Sequence, residues 1–237
     1  EEALSEEQMQ FIAMENNLSE TAFIDLSERP FRIRWFTPLA EIDLCGHATL
    51  ASSRILFDEY LGSDTREIDF SSNSGLLQAL KRGEQIFLDF PSDQPVEVDA
   101  KSTTVSLIEQ IIGLDPVAVL KGRDDYMVVV GSEEQVLSVV PDIDLLEDLP
   151  SRGLIVTSKG SKSDFVSRCF FPKLGEDPVT GSAHTVMTPY WAKELGKKSM
   201  IASQLSKRGG TLNCELNGDR ALIGGSSIRY LDGRFYL

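Results

Sequence analysis

Two glycines stand directly before residues that can donate a proton or a hydrogen bond, Gly46-His47 and Gly181-Ser182, and each pair opens a stretch with helical spacing. A glycine at a helix start leaves the first backbone N–H groups uncovered, where partial positive charge gathers. Such an end suits a carboxylate or an enolate oxygen. Two acids are placed to work beside these ends. Asp177 is on the short loop leading to Gly181, and Glu20 lies at a helix-to-strand junction, in Asn16-Asn17-Leu18-Ser19-Glu20-Thr21-Ala22-Phe23, directly before an apolar run. The chemistry such a set offers is proton transfer next to a bound anion. Each acid also has a plainer role open to it: Asp177 as a turn former or helix cap before Pro178, Glu20 as a solvated strand end.

Capping and periodicity give the elements that must carry these residues. Ser5 with Gln8 makes a capping box, and Met9, Ile12, Ala13 and Asn16 follow at helical spacing, which predicts a short helix ending near Asn17. Residues 20–26 and 31–36 read as an antiparallel hairpin with one wet face, and residues 46–62 as a helix closed by Gly62. Strands follow over 67–71, 76–80 and 85–90, and the softer stretch over 91–101 reads as a linker. Beyond it the pattern predicts helices over 103–112 and 133–140 and strands over 126–130, 154–157 and 165–171. A loop, a helix over 181–196 and a closing β run over 200–236 complete the chain. Most connections are too short for parallel crossovers, so largely antiparallel sheets are expected.

The 237 residues include 37 acidic and 23 basic ones, a net charge of −14 with no dense Lys/Arg stripe, so neither nucleic acid nor anionic lipid is an expected partner. Apolar runs such as Met127-Val128-Val129-Val130 fall far short of the roughly 20 residues that span a bilayer, so no membrane span is expected. The acidic start, Glu1-Glu2-Ala3-Leu4, is unlike a secretion signal. Three cysteines, Cys45, Cys169 and Cys214, are an odd number in a chain long enough to do without disulfides, and they point to a reducing, cytoplasmic compartment. With two histidines and no Cys-x-x-Cys or His-x-x-x-His spacing, a metal site would have to be assembled from scattered carboxylates. No phosphate loop or dinucleotide fingerprint is present either, so neither a metal nor a cofactor is expected.

The two long helices begin and end alike. Gly46-His47-Ala48-Thr49 and Asp58-Glu59-Tyr60-Leu61-Gly62 bound one; Gly181-Ser182-Ala183-His184 and Ala192-Lys193-Glu194-Leu195-Gly196 bound the other. Each follows a segment with a proline and an acid, Thr37-Pro38-Leu39-Ala40-Glu41 or Gly175-Glu176-Asp177-Pro178. A repeat at about 135 residues predicts a duplicated domain, each half wrapping strands around one central helix. Residues 1–95, completed by the C-terminal strand, would form the first half and residues 100–237 the second. If the halves pack about a pseudo-twofold axis, the two helix starts can face one cleft and hold one small anion between them.

Residues 16–23, Thr37-Pro38 with Glu41 and Leu44-Cys45-Gly46-His47-Ala48-Thr49, and Gly175 through His184 together resemble the phenazine-biosynthesis isomerase-like family. The likeness runs from about residue 8 to the carboxy terminus and includes Gln204-Leu205-Ser206-Lys207-Arg208-Gly209-Gly210. It implies a diaminopimelate-epimerase-like fold: α+β, with two pseudo-symmetric barrel-like domains of mostly antiparallel strands, each around a central helix. It further implies that Glu20 is the proton-transferring acid/base, that Asp177, His47 and Ser182 surround the substrate, and that Gly46, Gly181 and Thr180 bind it at the helix starts. A homodimer is also implied. In the related amino-acid epimerases the two bases are cysteines; here Cys45 holds the first position but Thr180 the second, which breaks a two-thiol mechanism and leaves Cys45 as a small packing residue. Members carry a strand and an Asn-Pro motif before the first helix, so residues upstream of Glu1 are expected. The resulting expectation is a cofactor-independent isomerase acting on a small carboxylate-bearing metabolite. Its rival is a non-catalytic metabolite- or protein-binding module on the same fold. A hydrolase built on Ser182 is weaker, because Gly181, Ala183 and His184 around it do not make a Gly-x-Ser-x-Gly elbow.

Overall fold

The computed structural model describes residues 4–172 and 174–234; the acidic start at residues 1–3 and the end of the predicted β run at residues 235–236 lie outside them. The chain divides into two compact units, Glu1–Asp89 with Gly224–Leu237, and Phe90–Ile223.

In the first unit, α1 (Glu6–Asn16) starts at the Ser5/Gln8 capping box and stops at Asn17, whose φ of 48° turns the chain toward β1 (Thr21–Asp25). β1 pairs antiparallel with β2 (Phe31–Phe36), which buries Phe31, Ile33, Trp35 and Phe36 and leaves Arg32 outside. This is the predicted hairpin with one wet face. β3 (Glu41–Ile42) folds back on β2. α2 (Gly46–Ile55) then carries the chain across to β4 (Glu67–Ser72), which lies parallel to β2, and β5 (Gly75–Arg82) and β6 (Gln85–Pro91) follow as an antiparallel meander. The strand order is β1-β2-β4-β5-β6. Gly62 does not cap this helix. α2 runs into one turn of π-helix, Leu56–Tyr60, which closes when the Leu61 N–H donates to the Leu56 carbonyl at 3.0 Å, so extended Leu61 ends it one residue earlier.

The second unit contains β7 (Val96–Glu97), α3 (Thr103–Ile112), β8 (Ala118–Lys121), β9 (Asp125–Val129), α4 (Glu133–Ser138), α5 (Ile143–Glu147), β10 (Gly153–Lys159) and β11 (Phe165–Phe171). β12 (Gly175–Asp177), α6 (Gly181–Leu195), β13 (Ser199–Gln204), β14 (Gly210–Asn217) and β15 (Arg220–Gly225) complete it. Its strand order is β15-β14-β13-β11-β10-β9-β8-β7, with β12 paired to β11. Most pairs are antiparallel. The parallel ones, β9 with β10 and β11 with β13, are those whose connections carry helices long enough to cross over, as α2 does between β2 and β4. One apolar core lies under α3, α4 and α5, where Ile108, Ile111, Val136 and Leu146 meet Val128, Leu154 and Val156 of the sheet. Among the described helices α6 has the most buried residues, from Ala183 and His184 to Trp191 and Ala192. Its Trp191 stacks on Phe165 with centroids 5.8 Å apart and donates to Thr157 Oγ1 at 3.0 Å.

Residues 91–101 are not a free linker. Pro189 inside α6 lacks the N–H that would have bonded to the Thr185 carbonyl, and the Asp93 N–H takes that carbonyl at 3.1 Å; β7 follows within the same stretch. The closing β run ends at Gly225, and residues 226–234 form no strand. α4 stops at Ser138, earlier than predicted, because Val139 is already extended ahead of Pro141, and α5 follows unpredicted.

The duplication extends to single hydrogen bonds. β1-β2-β3-α2-β4-β5-β6 and β10-β11-β12-α6-β13-β14-β15 follow the same order, and β4 and β13 bury the same alternate positions: Ile68, Phe70 and Ser72 in one, Met200, Ala202 and Gln204 in the other. Arg34 on β2 grips Glu41 of β3 with two bonds of 2.7 Å; Arg168 on β11 grips Glu176 of β12 at 2.6 and 3.1 Å. Thr49 donates to the Cys45 carbonyl and Ser53 to that of Thr49, at 2.6 and 2.7 Å. In α6, His184 Nδ1 donates to the Thr180 carbonyl at 2.7 Å and Thr188 to that of His184 at 2.6 Å. Such repetition of side-chain bonds at matched positions is what duplication predicts and what chance helix starts would not give.

Candidate active site

In the first unit the site is built where α1, β1 and α2 meet. The left-handed Asn17 and the Leu18-Ser19 turn after it bring Glu20 to the mouth of β1, and Asn16 Nδ2 donates to Thr21 Oγ1 at 3.3 Å across that turn. On the other side the Arg34–Glu41 pair holds β3 against β2, from which the chain enters α2. Cys45 is the N-cap of α2, extended at φ −140° and making no side-chain cap bond among the described residues. Glu20 Oε2 then lies 3.1 Å from His47 Nε2, and the Cys45 sulfur lies 3.6 Å from His47 Nδ1 and 3.9 Å from Nε2. Ser19 Oγ reaches His47 Nε2 at 3.5 Å.

Exposure and charge sort the roles. Cys45 is 6% exposed, while the His47 side chain is 55% exposed and that of Glu20 18%. Glu20 Oε2 is buried and, among the described residues, makes no hydrogen bond, although His47 Nε2 lies 3.1 Å away. Contact with His47 holds the Glu20 carboxyl below its ordinary range, against the opposing pull of burial. The Cys45 sulfur and then Glu20 push His47 up to about 10. Glu20 is therefore a carboxylate, and His47 an imidazolium, near neutral pH.

In the second unit Thr180 is the N-cap of α6, again extended and without a side-chain cap. α1, α3, α4 and α5 all carry a Ser or Asp cap, so among the described α-helices α2 and α6 alone start uncapped. A Cβ at Gly181 would meet no atom within 4 Å, so open space lies beside this helix start. Asp177 is not on a loop, as expected, but ends β12; its carboxylate accepts from Thr180 Oγ1, and Thr180 is buried. Gln204, 1% exposed, ties the segment down: its amide oxygen accepts the Thr180 N–H at 2.8 Å and its amide nitrogen donates to the Asp177 carbonyl at 2.7 Å and to Thr180 Oγ1 at 3.2 Å. Ser182 is half-buried at the position matching His47.

Two residues near this end carry no signal in the sequence. Arg152 grips Asp125, which is 1% exposed, with both Nε and Nη2, and the same Nη2 donates to Ser182 Oγ at 3.1 Å. With an acceptor position of Ser182 so occupied, its own proton is free to be donated elsewhere. Asp125 lies on β9 and Arg152 just before β10, too far along the chain from Ser182 for any local pattern to join them. His184, in contrast, is part of the core. It is fully buried, its Nδ1–H is spent on Thr180, and burial pushes it down to about 4, so it is neutral.

No helix of the described residues is long and apolar enough to cross a membrane. The sequence matches the family model described as phenazine biosynthesis-like protein over residues 1–233. An uncharacterized isomerase of Pseudomonas aeruginosa is 49% identical over 236 residues, 99% of this chain and 88% of that protein. A solved structure of a PhzF-family phenazine biosynthesis protein from Enterococcus faecalis superposes with a TM-score of 0.92 at 43% identity, covering all of this chain and 90% of that one. A hydroxyproline epimerase from Agrobacterium vitis, 10% identical, shares the fold with a TM-score of 0.59 over 95% of this chain and 80% of its own. With its duplicated α+β halves, its uncapped helix starts and this match along nearly its whole length, the chain belongs to the phenazine biosynthesis-like family, whose relatives named here include isomerases.

Proposed function

We propose that the protein is a cofactor-independent isomerase that moves a proton on a small carboxylate-bearing metabolite. The observation that carries the proposal is the Glu20–His47 contact: a carboxylate held ionised by a neighbouring imidazolium, with one oxygen free of any aligned hydrogen bond. Such an oxygen is a base ready to accept a proton. Glu20 removes the proton next to an electron-withdrawing group and returns it at another carbon or the other face; no electrons enter or leave, so the step balances without a redox partner. His47 stabilises the charge that develops. In the first unit the helix start at Gly46 offers N–H donors to a carboxylate or enolate oxygen; the start at Gly181 in the second unit offers the same kind of donors, and Thr180, whose own N–H goes to Gln204, sets that start in place. Asp177 and Ser182 flank the second unit's helix start, Ser182 as the hydroxyl donor that Arg152 orients. We further propose a cytoplasmic homodimer, whose oligomeric state light scattering on the purified protein tests.

The test of the reaction is a metabolite screen in deuterated water, read by mass spectrometry. Label incorporation that disappears in Glu20→Gln, and weakens in Ser182→Ala, is the expected result. A metabolite that binds but exchanges no proton in the wild type would instead mark a binding module on this fold.

A further inference from the structure

The donor atoms of Glu20, Cys45 and His47 all lie within 4.8 Å of one another, and among the described residues they are the one group of His, Cys, Asp and Glu side chains so arranged. Their mutual spacings carry more information than their types. Zinc takes sulfur at about 2.3 Å and nitrogen or oxygen at about 2.0–2.1 Å, so tetrahedral ligands sit about 3.3–3.6 Å apart. Here Glu20 Oε2 is 3.1 Å from His47 Nε2, and the Cys45 sulfur is 3.9 Å from that nitrogen. The sulfur lies 3.6 Å from His47 Nδ1 as well, so the imidazole must also turn for its Nε2 lone pair and the sulfur to meet one ion.

The surroundings point the same way. Glu20 Oε2 is buried with no aligned hydrogen bond, a lone pair left for a cation. Cys45 is the buried N-cap of α2, so the backbone of the helix start fixes its sulfur, which is not spent on a cap bond. The His47 side chain is 55% exposed, which leaves the fourth tetrahedral position on the solvent side, and Ser19 Oγ, 3.5 Å from His47 Nε2, can hold a water there. Neither other cysteine competes: Cys169 and Cys214 are buried, and among the described residues neither belongs to such a three-donor group.

We infer that Glu20, Cys45 and His47 form a three-ligand site for Zn2+, with an open fourth position for water or a carboxylate oxygen. All three ligands belong to the first unit. Cys45 enters as thiolate and His47 as neutral imidazole, each giving up its proton to solvent. The ion replaces the proton on His47 as the positive neighbour of Glu20. It also takes the Glu20 lone pair, so the zinc-loaded protein is the inactive form; this last clause rests on the isomerase reading above.

The experiment is titration of the purified protein with Co2+, followed by absorbance, then displacement by Zn2+. One equivalent of Co2+ should bind with a thiolate-to-cobalt charge-transfer band, and Zn2+ should abolish it. Cys45→Ala should lose the band, His47→Gln should weaken binding by more than about 10-fold, and Cys214→Ala should keep the signal. Circular dichroism checks that each variant is folded. Absence of a thiolate band in the wild type, or a band that survives in Cys45→Ala, overturns the site. The activity arm is separate: Glu20-dependent label incorporation should stop with Zn2+ and return with a chelator. A band without any Glu20-dependent exchange leaves the metal site standing and removes the isomerase reading, whereas exchange without a band does the reverse.

Discussion

Glu20→Gln is the perturbation that separates proton transfer from binding. The amide is nearly isosteric with the carboxylate but cannot accept and return a proton, so the loss should be that of one general acid/base, about 10²–10⁴-fold in turnover. At about 1.4 kcal/mol per tenfold, this is about 3–5.5 kcal/mol of barrier. Stability should fall by less than turnover does, by the part of the His47 shift that Glu20 supplies. Oε2 of Glu20 has no aligned hydrogen bond to lose, and its neighbour His47 has a 55% exposed side chain, so the pair is screened by solvent. The structure adds a second readout, because Glu20 is one of the two groups that push His47 up to about 10, the Cys45 sulfur being the larger. In Glu20→Gln the His47 titration should move down toward the ordinary 6.5 without reaching it, while Cys45→Ala should move it further. Deuterium incorporation read by mass spectrometry measures the first effect and NMR titration of the His47 ring the second. Unchanged label incorporation in Glu20→Gln, or an unmoved His47 titration, would refute the reasoning.

Three further outcomes follow from the geometry. Gln204→Ala leaves the buried Thr180 N–H without its partner and should cost about 1–3 kcal/mol, measured by urea unfolding. Arg152→Met strands the buried Asp125 carboxylate and should destabilise by about 3–5 kcal/mol; adding Asp125→Asn should recover part of this in the same assay, and a double variant no better than the single one would count against the pair. The Glu20–His47 pair gives stability a defined pH window. Glu20, lowered from 4.5, contributes above that value and loses its contribution as pH falls through its folded pKa, whereas His47, raised from 6.5, contributes fully below 6.5 and loses it as pH rises through about 10. Unfolding midpoints should therefore be flat with respect to this pair between about pH 5 and 6.5, and His47→Gln should flatten the alkaline decline.

Local signals carried the frame, and long-range ones did not. The capping box at Ser5, the left-handed glycines Gly113 and Gly196 that end α3 and α6, and the uncapped starts at Gly46 and Gly181 are all decided within a few residues, so spacing alone exposes them. Gly62 looks like the same kind of stop, but the π turn at Leu56–Tyr60 ends the helix differently, and a one-residue change of helical pitch leaves no trace in hydrophobic periodicity. Residues 91–101 look soft because their anchor, the carbonyl freed by Pro189, lies in a helix far along the chain. Asp125 and Arg152 were silent for the same reason: an acid and a base at strand ends carry no sign of each other until β9 and β10 lie side by side. The sequence also made both histidines look alike, and only burial separates the exposed His47 from the core His184.

That separation is one of several differences between two otherwise matched helix starts. Both halves keep the Arg–Glu grip on the strand before the helix, the extended N-cap without a cap bond, and the side chain four residues on that bonds back to the cap carbonyl. What differs is which residue fills each matched place. Cys45 corresponds to Thr180, His47 to Ser182, and the back-bonding residue is Thr49 in one half but His184 in the other. Placing a histidine at the cap-bonding position costs it any role as a proton carrier, since burial keeps it neutral and one nitrogen is committed. Placing Thr180 where the other half has a thiol leaves a hydroxyl that is itself tied to Asp177. The second half therefore offers no thiol at its helix start, where the Asp177 carboxylate accepts from Thr180, whereas the first has Glu20 brought in from the turn before β1. Under the proposed reaction, this asymmetry favours proton transfer by a single carboxylate, Glu20, over a matched pair of thiols.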